Sequence, residues 1–147
     1  MLEAAAQMYC RPPVAFTFKE WRIEKKAVLE VIVFRSPDRP HFAENTEGEW
    51  HAYVRVNDQN FPANRVLLRV WKNEHRDRGV FLQFTEAERI LLRTLEEVPW
   101  VTLSGFVKKA HITRARAENI LVKFLLLKII EIRFTGNQVI YSMAKSP

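Results

Sequence analysis

Residues 14–19 alternate, with Val14, Phe16 and Phe18 set between Ala15, Thr17 and Lys19, and the strand continues through Trp21 and Ile23. A period of two is that of a half-buried strand. Residues 28–34 are almost continuously β-prone, broken only by Glu30, which predicts an inner strand paired antiparallel with the first across the polar turn Glu24-Lys25-Lys26. Residues 50–56 predict a third strand with Tyr53 and Arg55 on one face and Val54 and Val56 on the other. Ahead of these, the Ala-rich residues 2–10 predict a helix stopped by Pro12-Pro13. After the polar turn 57–62, residues 63–74 place Val66, Leu67, Val70 and Trp71 at helical spacing, so that Arg65, Arg69 and Lys72 face away.

The charged stretch 75–79, closed by Gly79, is the predicted boundary between two pieces, residues 1–79 and 80–147. After a short extended run, 80–84, the period changes from two to helical. Thr85 is an N-cap with Glu88 at the capping-box position for a helix over 86–97. Pro99 ends that helix, Thr102 caps one over 103–110, and Thr113 caps a third from 114 to about 127 after the turn His111-Ile112-Thr113. Residues 130–134 and 138–143 then predict a hairpin around Thr135-Gly136-Asn137. The chain is therefore expected to be α+β.

Composition narrows the functions open to it. With 147 residues, 48% hydrophobic and 27% charged, the chain is globular rather than disordered or fibrous. Its four glycines, Gly48, Gly79, Gly105 and Gly136, are isolated, and a phosphate-cradling loop needs several close together. No nucleotide cofactor is expected. The single Cys10 and four scattered histidines hold no metal-ligand spacing and fit a reducing compartment. The strongest apolar run, 120–130, is interrupted by Lys123 and Lys128, and no basic stretch precedes the apolar N-terminal residues. A cytoplasmic protein without a membrane partner is expected. No catalytic pair or triad has a reason to converge, so no enzyme is expected from these residues.

Three helices with a tight turn between the second and third, closed by a hairpin, is the order of a winged helix-turn-helix domain. In that arrangement the third helix enters the DNA major groove with its N-terminal residues, here Arg114, Arg116, Glu118, Asn119 and Lys123. Arg chelates guanine, Asn chelates adenine and Lys meets phosphate, so these residue types suit duplex DNA. Lys108 and Lys109 on the second helix and Arg133 on the wing flank the same surface. Of the formal charge of +6, residues 85–147 carry ten Lys/Arg against six Asp/Glu. The same features also suit a protein-docking module or solvated helix faces. Val122 and Leu126 widen the apolar stripe of the third helix beyond the ~100° of an ordinary core face, which predicts a homodimer or inter-domain contact there, the alternative being that the wing and the extended run 80–84 cover it. Trp21, Trp50, Tyr53 and Trp71 could stack bases, but core packing explains them more simply.

The segment Val28-Leu29-Glu30-Val31-Ile32-Val33, then Ser36-Pro37, Arg39-Pro40-His41-Phe42, and Ala52-Tyr53-Val54-Arg55-Val56-Asn57-Asp58-Gln59-Asn60 with Ala63, resembles the C-terminal half of the Schlafen/AlbA-type DNA-binding domain. Bacterial members of that family often carry a C-terminal winged helix, and many bear ATP-binding, divergent AAA or transcriptional-regulator labels. The resemblance implies a partial AlbA-like module over residues 1–79 and a nucleic-acid-facing role for Arg55, Asn57 and Asn60, which also suit a structural turn at a sheet edge. The chain lacks the family's first helix, strand, second helix and Gly-rich turn, so neither RNA cleavage nor ATP binding passes to any residue here. Residues and resemblance together lead to the expectation of a non-catalytic regulator that binds double-stranded DNA as a homodimer. The alternatives are a protein-interaction or oligomerisation module and the accessory half of an RNA-processing nuclease.

Overall fold

A computed structural model describes residues 2–74, 84–136 and 138–145. The described residues form an α+β structure of five helices and small antiparallel sheets. Contacts divide it into two compact units, Met1–Val54 and Arg55–Pro147. The boundary expected at 75–79 and the extended run expected at 80–83 lie outside the described residues. The helix at Arg65–Asn73 packs on the helix at Arg114–Leu126 within the second unit.

The first unit begins with α1 (Leu2–Met8), then β1 (Cys10–Arg11), β2 (Phe16–Ile23), β3 (Lys26–Val33), β4 (Phe42–Glu44) and β5 (Trp50–His51). Strands β1, β4 and β5 form a small antiparallel sheet in that order. The expected hairpin forms, with β2 and β3 paired in register from Phe16 opposite Val33 to Ile23 opposite Lys26. Glu24 and Lys25 both take positive φ, 49° and 64°, as the two central residues of a tight hairpin turn require. β3 is not the inner strand expected from its apolar run. It pairs with β2 alone among the described strands, and the hairpin is exposed along both faces, Phe18 at 58% on one and Ile32 at 46% on the other. The strand expected over 50–56 is also divided, at buried Ala52, into β5 paired with β4 and β6 (Tyr53–Val56) paired with β7 (Gln59–Pro62).

The second unit holds the core. Asn64 caps α2 (Arg65–Asn73) by accepting the Leu67 N–H at 2.9 Å. At the start of α3 (Glu86–Glu97) the Glu88 carboxylate accepts the Thr85 N–H at 2.7 Å. Thr102 and Thr113 cap α4 (Leu103–Ala110) and α5 (Arg114–Leu126) by accepting the N–H groups of Gly105 and Arg116. Between those two helices His111 turns the chain in the left-handed region, φ 51° and ψ 43°, and donates its N–H to the Val107 carbonyl. Strands β8 (Ile130–Thr135) and β9 (Gln138–Met143) form the closing hairpin, to which Val101 adds an antiparallel bridge at Tyr141. Leu91, Phe106, Ala117, Leu121, Phe124 and Tyr141 make the centre of the core, joined by Val66 and Val70 from α2. Burying Phe106, Phe124 and Leu121 alone is worth several kcal/mol, at ~1.5–3 kcal/mol for each side chain.

Candidate nucleic-acid interface

Glu118 is the only acidic residue on α5 and the centre of its N-terminal half. Its side chain is 5% exposed and meets two guanidinium groups, Arg114 Nε at 3.3 Å from its own helix and Arg65 Nε at 3.5 Å from α2. The two arginines remain in solvent, Arg114 at 69% and Arg65 at 80%. A buried carboxylate is stabilised by such pairing, and the long arginine stems let the charged heads reach water. One residue further along, Arg69 Nη2 donates to Asn119 Oδ1 at 2.6 Å, a second link from α2 to α5. Below this layer Asn64 Nδ2 donates to the Tyr141 hydroxyl at 3.1 Å. Burial pushes the Tyr141 phenol up, against the hydrogen bond from Asn64, and the Glu118 charge adds to the rise while Arg114 opposes it.

The other expected site residues fall into different settings. Arg116 and Lys108 are exposed at the two ends of the α4–α5 turn. Lys109 Nζ pairs with Glu97 at 3.0 Å, and Arg133 pairs with Glu131 on its own strand. Lys123 is not a phosphate contact standing free on the helix face as the sequence suggested. Its Nζ lies 2.8 Å from Glu88 Oε1, tying α5 to α3, because a carboxylate as buried as that of Glu88 needs a cation against it. Burial works to raise the Glu88 pKa, but the bonds from Lys123 and Thr85 outweigh it and hold the carboxyl below the ordinary glutamate range.

Arg55 donates to Asn60 Oδ1 at 3.2 Å and pairs with Asp58 at 3.5 Å, while Asn57 takes φ 52° at the β6–β7 turn. Arg55, Asn57 and Asn60, with Asp58, therefore brace one turn. Phe61 and Phe134, with ring centroids 5.9 Å apart, bring that turn beside the β8–β9 hairpin. A cleft of about 440 Å³ runs between them, lined by Asn57, Asp58, Gln59, Thr135 and Gly136 among others.

The apolar face expected to meet a second copy is already covered. Val122 is 6% exposed in the same core cluster as Val66 and Val70, and Leu126 is half-buried against that cluster. The stripe on α5 is wide because α2 packs on one side of it and the α3–α4 core on another. The sequence offers Arg65 and Arg69 only as an outward helix face and Glu118 only as one of the groove-facing residues of the third helix, not as partners. Their signal was the spacing of Arg65, Arg69 and Lys72 at i, i+4 and i+7, beside a single carboxylate on an otherwise cationic helix. Among the described residues no group of three His, Cys, Asp or Glu could hold a metal ion, and no helix is long and apolar enough to cross a membrane. No protein-family model, curated protein or solved structure matches this chain.

Proposed function

We propose that this chain is a non-catalytic binder of double-stranded DNA, a transcriptional regulator that presents the N-terminal half of α5 to the duplex. The observation that carries the reading is the pair of exposed cations, Arg114 and Arg116, on the first turns of a helix that follows a tight helix-helix turn, with exposed Lys108 just before it. The order of helix, strand bridge, helix, turn, helix and hairpin supports a winged helix-turn-helix domain. The quoted likeness of residues 28–63 to the Schlafen/AlbA-type domain supports the same class of partner.

Side-chain pairing refines how the duplex is held. Asn119, the residue suited to an adenine edge, has its oxygen engaged by Arg69, which leaves the exposed cations Lys108, Arg114 and Arg116 and so weights binding toward phosphate contacts. Affinity for mixed-sequence duplex is then strongly salt-dependent, log K falling with log[salt] by ~0.9 per neutralised phosphate. Fluorescence anisotropy of a labelled mixed-sequence duplex across a salt series measures this slope. Changing Arg114 and Arg116 together to Ala lowers the affinity and reduces the slope by about 2. Absence of binding by the unaltered protein at low salt would overturn the proposal.

A further inference from the structure

Resting on that reading, we infer that α2 supplies a second row of phosphate contacts to the same duplex, through Arg65, Arg69 and Lys72. Residues spaced i, i+4 and i+7 share one helix face, and two of these three touch α5 directly: Arg65 at Glu118 and Arg69 at Asn119. The row therefore lies along the flank of the helix that carries Arg114 and Arg116. At 1.5 Å per residue it spans ~10 Å, about three charge steps of one DNA strand at ~3.4 Å each.

Charge points to a polyanion. Helices α2 and α5 together contain Arg65, Arg69, Lys72, Arg114, Arg116 and Lys123 against one acid, Glu118, and that acid is buried. Four of these cations, Arg65, Lys72, Arg114 and Arg116, are exposed, and one buried carboxylate needs only one cation against it, so neutralising Glu118 does not account for them all. The closest approach of both Arg65 and Arg114 to the carboxylate is through Nε. A guanidinium carries five N–H donors, so each keeps donors for a phosphate oxygen while Glu118 holds its stem in place. Glu118 is a positioning residue in this scheme, and α2 and α5 act as one cationic surface.

The test uses the full chain and the same mixed-sequence duplex. Replacing Arg65 and Arg69 together by Ala should weaken binding about tenfold or more near 0.1 M salt and lower the salt slope by about 2, as for any two phosphate contacts. The Arg65→Lys, Arg69→Lys variant retains charge and should keep most of the slope, and circular dichroism melting confirms that each variant is folded. If the Ala pair binds with unaltered affinity and slope while the Arg114, Arg116 pair of substitutions abolishes binding, α2 is not a contact and the α5 reading stands alone. Loss of the slope in the folded Lys pair as well would also overturn the inference, because the arginines would then act through packing rather than charge. Should neither double Ala substitution alter binding, both readings fall together.

Discussion

Asn64 holds two parts of the second unit with one side chain, its oxygen accepting the Leu67 N–H at the start of α2 and its nitrogen donating to the Tyr141 hydroxyl. Tyr141 is fully buried, so its hydroxyl has no water to turn to and must be met by protein. Asn64→Ala removes the cap, worth about 1 kcal/mol, and orphans a buried phenol at a further 1–2 kcal/mol, roughly 2–3 kcal/mol in all. Tyr141→Phe, which leaves the cap intact, should cost about 1 kcal/mol. Urea unfolding of the two variants checks the order: equal losses would show that the cap adds nothing beyond the bond to Tyr141, and no loss in Tyr141→Phe that the phenol contributes nothing through Asn64. At this scale the sequence was a good guide where a residue acts on its own helix. Thr102 and Thr113 cap where their spacing says they should, and Glu88 reaches back to Thr85. It was a poor guide where the partner is remote, as with Asn64 and Tyr141, 77 residues apart.

Among the elements, the β2–β3 hairpin and α5 show what periodicity conveys. Alternation in residues 14–19 and the apolar run after it announced two paired strands, and their register and turn are those of a regular hairpin. The same pattern implied a buried sheet, yet nearly every residue of the hairpin is exposed. Apolar content states that a surface favours burial and says nothing of which element buries it. An isolated two-stranded hairpin is marginal in water, and its exposed backbone bonds open easily. Backbone amides of residues 16–33 should therefore exchange at least ~100-fold faster than those of α5, measured by native-state hydrogen exchange. Equal protection would show that the hairpin is covered in solution. In α5 the converse holds: an apolar stripe that looked too wide for one chain is accounted for by a second helix of that chain.

For the molecule as a whole, acid stability reads out how the second unit is tied together. Glu88 joins α3 to α5 through Lys123, and its folded pKa lies below the ordinary glutamate value because those hydrogen bonds outweigh burial. Glu131 is held low as well, first by its bond from Arg133. A carboxyl lowered by folding contributes stability that is complete above its unfolded pKa of about 4.3 and is lost as pH falls through the folded value. Denaturation midpoints should thus hold near neutral pH and fall below about pH 4, and Glu88→Gln should flatten that acid limb. A Gln variant with an unaltered acid limb would remove Glu88 as its source. Local pattern alone determined the helices, the caps at Thr85, Thr102 and Thr113, the hairpins β2–β3 and β8–β9 and the cationic character of α5, because each depends on residues within a few positions of one another. The division at Val54 and Arg55, the burial of Val122 and the placing of Arg65 and Arg69 beside Glu118 and Asn119 were decided only by the tertiary structure. Those features depend on which apolar face α2 chooses, and α2 presents the same face to any partner until the packed fold supplies one.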